Sequence, residues 1–132
     1  MGSQSELKKF ERGKFMDAID ILTNFMNAWK NSNWSEMFEN SQITWRSRGK
    51  NKSIDLLKGW FYLKDLTTFK ILKTEKISDS CVDMTLKISY LYYISNLKET
   101  KIKARVICET GPYKPSKDGT WGVNPLSILR EF

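Results

Sequence analysis

The 132-residue sequence contains no histidine, two cysteines and three prolines. Histidine is the commonest metal ligand and the side chain that titrates nearest neutral pH, so its absence removes most metal and acid–base sites. Cys81 and Cys108 are too few for a zinc set of any familiar spacing, and no other soft ligand supports them. Neither a metal nor a cofactor is expected. No run of about eighteen apolar residues occurs, so no segment is expected to cross a membrane as a helix. Residues 1–14 are polar and lack the apolar core of a secretory signal. Met1-Gly2 opens like a myristoylation start, but Glu6 stands where Ser or Thr is required. Gly2-Ser3 reads equally well as a cloning remnant. Residues 1–13 are therefore set aside as a tail before a single domain, 14–132. A cytoplasmic location is expected, which leaves Asn33-Trp34-Ser35 and Asn51-Lys52-Ser53 as chance glycosylation patterns.

Seventeen aromatic residues (7 Phe, 5 Tyr, 5 Trp) are enough to build a core in a chain of this length. The net charge of +7 favours anionic partners and says nothing about the fold.

Phe15, Ala18, Ile19, Leu22, Phe25, Met26 and Trp29 recur at three- and four-residue steps, which predicts a helix over Lys14–Lys30. Asn31-Ser32-Asn33 interrupts it. Asn33 followed by Glu36 resembles a capping box and predicts a short second helix carrying Trp34, Met37 and Phe38. After a polar stretch, Ser53 is the expected N-cap of a third helix bearing Ile54, Leu57 and Phe61. Beyond Leu66 the period falls to two. Thr67 to Ile77 is rich in β-formers, and Ser78-Asp79-Ser80 turns the chain. Val82, Met84, Leu86, Ile88, Tyr90 and Tyr92 then alternate with polar residues, and after Ser95-Asn96 so do Ile102, Ala104, Val106 and Cys108. Asp118-Gly119 is a hairpin-type turn before Trp121-Gly122-Val123, with Pro125 closing that strand at a sheet edge. The fold class is α+β: N-terminal helices packed on a curved four-stranded antiparallel meander. Strand parity places Cys81 and Cys108 on opposite faces, against a disulfide.

Ala28-Trp29, then Asn33-Trp34 with Met37 and Phe38, then Gly49 to Ile54 before a helix, and finally Gly119-Thr120-Trp121-Gly122-Val123 resemble, in order, the nuclear transport factor 2-like superfamily. The resemblance runs from Phe15 to Pro125. It implies a sheet wrapped around a long helix as a cone, with a small apolar ligand in its mouth and often a dimer through the outer sheet face. Members include isomerases and dehydratases as well as non-catalytic binding modules, so the fold alone does not assign an activity. The enzymes generally carry Asp, His or Tyr inside the cone, and the lack of His favours a non-catalytic domain.

Four sites follow. Trp45, Trp60, Tyr90, Tyr92 and Trp121 either wall a pocket for a small, flat, apolar ligand or simply fill the core. Glu75 shares parity with Phe69, Ile71 and Ile77 and is the one carboxylate expected to point inward, the minimum for a cofactor-free isomerase or dehydratase; a solvated strand-end position is the plainer alternative. Asp83 and Glu109 have outward parity. Leu91, Tyr93 and Ile107 face outward on two neighbouring strands and suggest a homodimer patch, or isolated exposed side chains. Arg46, Arg48, Lys50 and Lys52 beside Trp45 suggest docking on nucleic acid or an anionic protein, or a solvated loop. Lys8, Lys9, Arg12 and Lys14 form a second basic cluster, and Lys114 with Lys117 a third.

Overall fold

A computed structural model describes residues 17–93 and 95–130. The expected tail, Phe15 and the basic cluster Lys8 to Lys14 lie outside the described residues.

Helix α1 covers 17–30. Its buried stripe, Ala18, Leu22, Phe25, Met26, Ala28 and Trp29, carries the expected period. Asn33 caps α2 (Trp34–Glu39): its Oδ1 accepts from the Glu36 amide at 3.2 Å, and its Nδ2 donates back to the Glu36 carboxylate at 3.0 Å. Two features differ from the sequence reading. An unexpected one-turn helix, α3 (Ile43–Arg46), leads into the polar stretch Arg46–Lys52. Helix α4 (Lys50–Phe61) starts earlier than expected because Gly49, at φ 108°, reverses the chain in a conformation glycine adopts without penalty. Ser53 therefore caps nothing. It is buried inside α4 and donates to the Trp45 carbonyl at 3.2 Å.

Strands β1 (Lys64–Ser78), β2 (Cys81–Tyr92) and β3 (Asn96–Gly111) form an antiparallel meander. The free edge of β3 is shared. A two-residue strand β4 (Lys114–Pro115) pairs near Glu109–Gly111, and β5 (Thr120–Asn124) pairs with Arg105–Glu109. β5 ends at Asn124, immediately before Pro125, and pairs within the sheet with β3 alone, so Pro125 closes an edge strand as expected. It opens a short helix, α5 (Pro125–Leu129), capped by Asn124. The inward residues of β2 and β3 fall as their alternation requires: Val82, Met84, Leu86, Ile88, Ile102, Ala104, Val106 and Cys108 are all buried against the helices. Phe61 closes the core edge-on to Phe25 and Trp29, with centroids at 6.2 and 4.8 Å.

The sheet is bulged where β1 meets β2. Ile71 pairs with Leu86 but Lys73 pairs with Thr85, so Leu72 is an extra residue. One extra residue reverses the parity of everything after it. Glu75 consequently lies opposite Asp83 on the face turned away from the core, and it is exposed. This corrects the inward expectation and removes Glu75 as an internal acid.

Candidate functional site

The site is set by one close approach of the chain. Residues 40–42 run beside β5, where the Gln42 amide donates to the Val123 carbonyl at 2.9 Å and the Val123 amide donates to the Asn40 carbonyl at 2.8 Å. This requires Gly122. A Cβ there would overlap the Gln42 backbone and lie 2.7 Å from the Ser41 carbonyl carbon. Gly119 is constrained in the same way, since its Cβ would overlap the Glu109 carbonyl and sit 2.7 Å from the Thr110 nitrogen. The two glycines of the Gly119–Val123 motif thus serve close backbone approach.

The crossing brings α3 to the sheet face turned away from the core, over Glu109. Glu109 is 2% exposed and Gln42 6%. Outward parity was right for Glu109, but that face is covered here, so the carboxylate is buried. Three donors converge on it: the Thr44 amide at 3.0 Å, Gln42 Nε2 at 3.3 Å and the Thr44 hydroxyl at 2.5 Å. The Thr44 hydroxyl also accepts from the Tyr113 amide at 2.8 Å, which ties the β3–β4 turn to the same cluster. No cation pairs with Glu109 among the described residues. An ionised carboxylate only accepts, so Glu109 fixes the Gln42 amide with its NH₂ inward. Gln42 Oε1 is then buried without any hydrogen-bond partner among the described residues.

Gln42 and Glu109 line a cavity of about 370 Å³, with Trp45, Ile107, Tyr113 and Leu126 among its walls. Trp45 is held edge-on by Trp60 at 5.2 Å, and the Arg48 guanidinium lies 4.8 Å from its ring centroid. Beside this cavity Arg105 grips the buried Asp83 with two bonds, Nε to Oδ1 at 2.8 Å and Nη2 to Oδ2 at 2.9 Å. That hydrogen bond, above all, holds the Arg105 guanidinium firmly protonated.

The five aromatic residues singled out from sequence lie in three places. Trp45 lines the cavity just described and touches Trp60. Tyr90 and Tyr92 line a depression with Lys64 and Lys98, and Trp121 lines another against Asp17, Asp20 and Ile21 of α1. Leu91, Tyr93 and Ile107 do not form one patch. Ile107 pairs with Cys81 at one end of β2, whereas Leu91 pairs with Leu97 at the other, about 30 Å away by strand rise. Antiparallel pairing brings the end of β2 to the start of β3, not to its end. Leu91 and Tyr93 instead share a depression with Tyr62 and Leu63. Within the basic loop, Arg46 donates to the Ser41 carbonyl at 3.0 Å, Arg48 stacks on Trp45, Lys50 lies 3.8 Å from Glu39, and Lys52 is exposed. Lys114 and Lys117 are exposed. Cys81 and Cys108 are free thiols. Gln42, Thr44 and the burial of Glu109 escaped the sequence reading because Thr44 and Glu109 lie 65 residues apart and no local period marks either as buried.

No protein-family model matches the chain, and no curated protein matches it. Solved structures do share its architecture. A SEC-C motif containing protein from Psychrobacter arcticus superposes with a TM-score of 0.62 at 10% identity, over 85% of this chain and 61% of its own. This chain therefore spans about three-fifths of that protein. A second SEC-C motif containing protein, from Rhodopseudomonas palustris, gives 0.54 at 11% identity, over 74% and 67%. An NTF-2 like protein of unknown function from Shewanella oneidensis MR-1 gives 0.56 at 12% identity, over 81% and 91%. At these identities the likeness is one of fold, and the fold is NTF2-like.

Proposed function

We propose that this NTF2-like α+β domain is a non-catalytic module that holds a small, largely apolar ligand in the cavity between α3, the β3–β4 turn and the outer sheet face. The observation that carries the reading is the pairing of apolar walls with a buried polar floor whose Gln42 carbonyl oxygen is unmatched. Ligand pockets typically combine apolar lining with a few fixed polar groups at this scale of volume. Glu109 accepts from Gln42 and Thr44 at Oε1 and from the Thr44 hydroxyl at Oε2, so the carboxylate is fixed in place by the protein with room for one more donor at Oε2. The test is a fragment screen followed by amide and indole NMR signals of the full chain. Hits should cluster on Thr44, Trp45 and Tyr113; hits confined to other surfaces would refute the site.

A second reading, docking on nucleic acid or another polyanion, is favoured by one observation. Lys70, Lys87 and Lys101 stand directly opposite one another across three strands, and Lys103 follows on the same face; Lys87 is paired with Glu99 at 2.6 Å, while no ion pair holds Lys70, Lys101 or Lys103 among the described residues. Facing like charges destabilise a sheet, and a polyanion would relieve them. This surface stands beside the Arg46–Lys52 loop, where Arg48, Lys50 and Lys52 are exposed, as a seat for that reading. Lys70→Glu with Lys101→Glu should abolish salt-dependent heparin retention, and unchanged retention would exclude it. For the expected self-association we propose the β2–β3 hairpin as the surface, on the exposure of Tyr93 (59%) and Leu97 (68%).

A further inference from the structure

The floor of the α3 cavity is rich in acceptors: the Gln42 side-chain carbonyl and the Glu109 carboxyl group. Gln42 Oε1 has no donor among the described residues. Among the described residues Glu109 Oε2 accepts only from the Thr44 hydroxyl, and a carboxylate oxygen has room for a second donor. Both groups are more than nine-tenths buried, where an unmatched acceptor is costly and a matched one is strong. The only cation lining this cavity among the described residues, Arg48, is exposed and held on the Trp45 ring, not on Glu109. The walls around this floor, Trp45, Ile107, Tyr113 and Leu126, are apolar or aromatic. A ligand completing this site must bring N–H donors and a positive charge at one end and an apolar body at the other.

We propose that the cavity takes a small organic cation, an amidinium or primary ammonium on an aromatic or aliphatic body. Its N–H groups bond Gln42 Oε1 and Glu109 Oε2, and its body packs on Trp45 and Ile107. The inference rests on the ligand-pocket reading above and deepens it.

Three probes of one size separate the possibilities: benzamidinium, benzyl alcohol and benzoate, each titrated to millimolar concentration into the ¹⁵N-labelled full chain. Benzamidinium is expected to shift the Thr44 amide, the Gln42 side-chain amide and the Trp45 indole, and to bind at least tenfold more tightly than benzoate. Gln42→Met keeps the backbone pairing to Val123 and removes the unmatched acceptor. It should weaken benzamidinium about tenfold, the worth of one hydrogen bond to a charged group. Glu109→Gln, checked for folding by its amide spectrum, should weaken it at least as much. If benzyl alcohol or benzoate binds as tightly at the same signals, or if Gln42→Met binds benzamidinium like the parent chain, the cation inference is wrong while the pocket stands. If none of the three probes moves these signals, the pocket reading falls with it.

Discussion

Replacing Gly122 by alanine should cost far more than its single methyl suggests. The new Cβ would stand about 2.5 Å from the Gln42 nitrogen and 2.7 Å from the Ser41 carbonyl carbon, both backbone atoms that no rotamer change can move aside. Ordinary contact needs more than 3.4 Å, so residues 40–42 or β5 must shift by about 1 Å. Two hydrogen bonds of 2.9 and 2.8 Å join those segments, and a shift of that size weakens or breaks both. Each lost bond costs about 1 kcal/mol net, and more where the stranded groups stay buried, which puts the total at roughly 2–4 kcal/mol. For a domain of this length that is roughly a 10 °C fall in Tm. Gly59→Ala is the matched control. Gly59 lies within α4 with open space where its Cβ would go, so alanine should stabilise by about 0.5–1 kcal/mol through helix propensity. Urea unfolding of both variants gives the two signs, and amide exchange at Gln42 and Val123 shows whether the loss is local. Equal effects of the two substitutions, or unchanged exchange at Gln42 in Gly122→Ala, would refute the close-approach argument.

Arg105→Met should destabilise by roughly 1–3 kcal/mol, because Asp83 would stay buried with both donors gone; urea denaturation measures it, and the additional Asp83→Leu change should recover part of the loss. Burial pushes the Cys81 and Cys108 thiols above their usual range, opposed at Cys81 by Arg105 and at Cys108 by the Gly119 backbone. The unfolded chain then loses its thiol protons first, so this contribution to stability is complete below a pH of about 8.5 and declines above it. Urea midpoints across that range should fall less steeply for the Cys81→Ser, Cys108→Ala double variant than for the parent chain. Leu97→Glu removes an exposed apolar side chain from the β2–β3 hairpin; it should leave the unfolding midpoint within about 0.5 kcal/mol of the parent and abolish any self-association seen by light scattering.

Much of the architecture is legible residue by residue. The α1 stripe from Ala18 to Trp29, the Asn33–Glu36 cap and the alternation from Val82 to Cys108 all follow from local periods, and these are the segments where every second or third side chain must be buried. Glu75 shows where that logic stops. Its parity was counted along an unbroken strand, and the extra residue at Leu72 reversed it. A bulge is a property of two paired strands, so nothing in β1 alone announces it. Asp83 and Glu109 show the converse. Their outward parity was read correctly, but whether an outward position meets water depends on what crosses over it.

By itself, then, the sequence determined the class of the fold, the inner faces of β2 and β3 and the lack of histidine and of a cysteine-rich set, because these depend on composition and on spacing within one segment. Tertiary structure alone decided that Gln42, Thr44 and Glu109 meet, that the five aromatic residues part into three places, and that Ile107 and Leu91 stand at opposite ends of the sheet. Each of those outcomes is fixed by strand register and by the approach of residues 40–42 to Gly122, contacts between segments far apart in the chain that leave no local period behind.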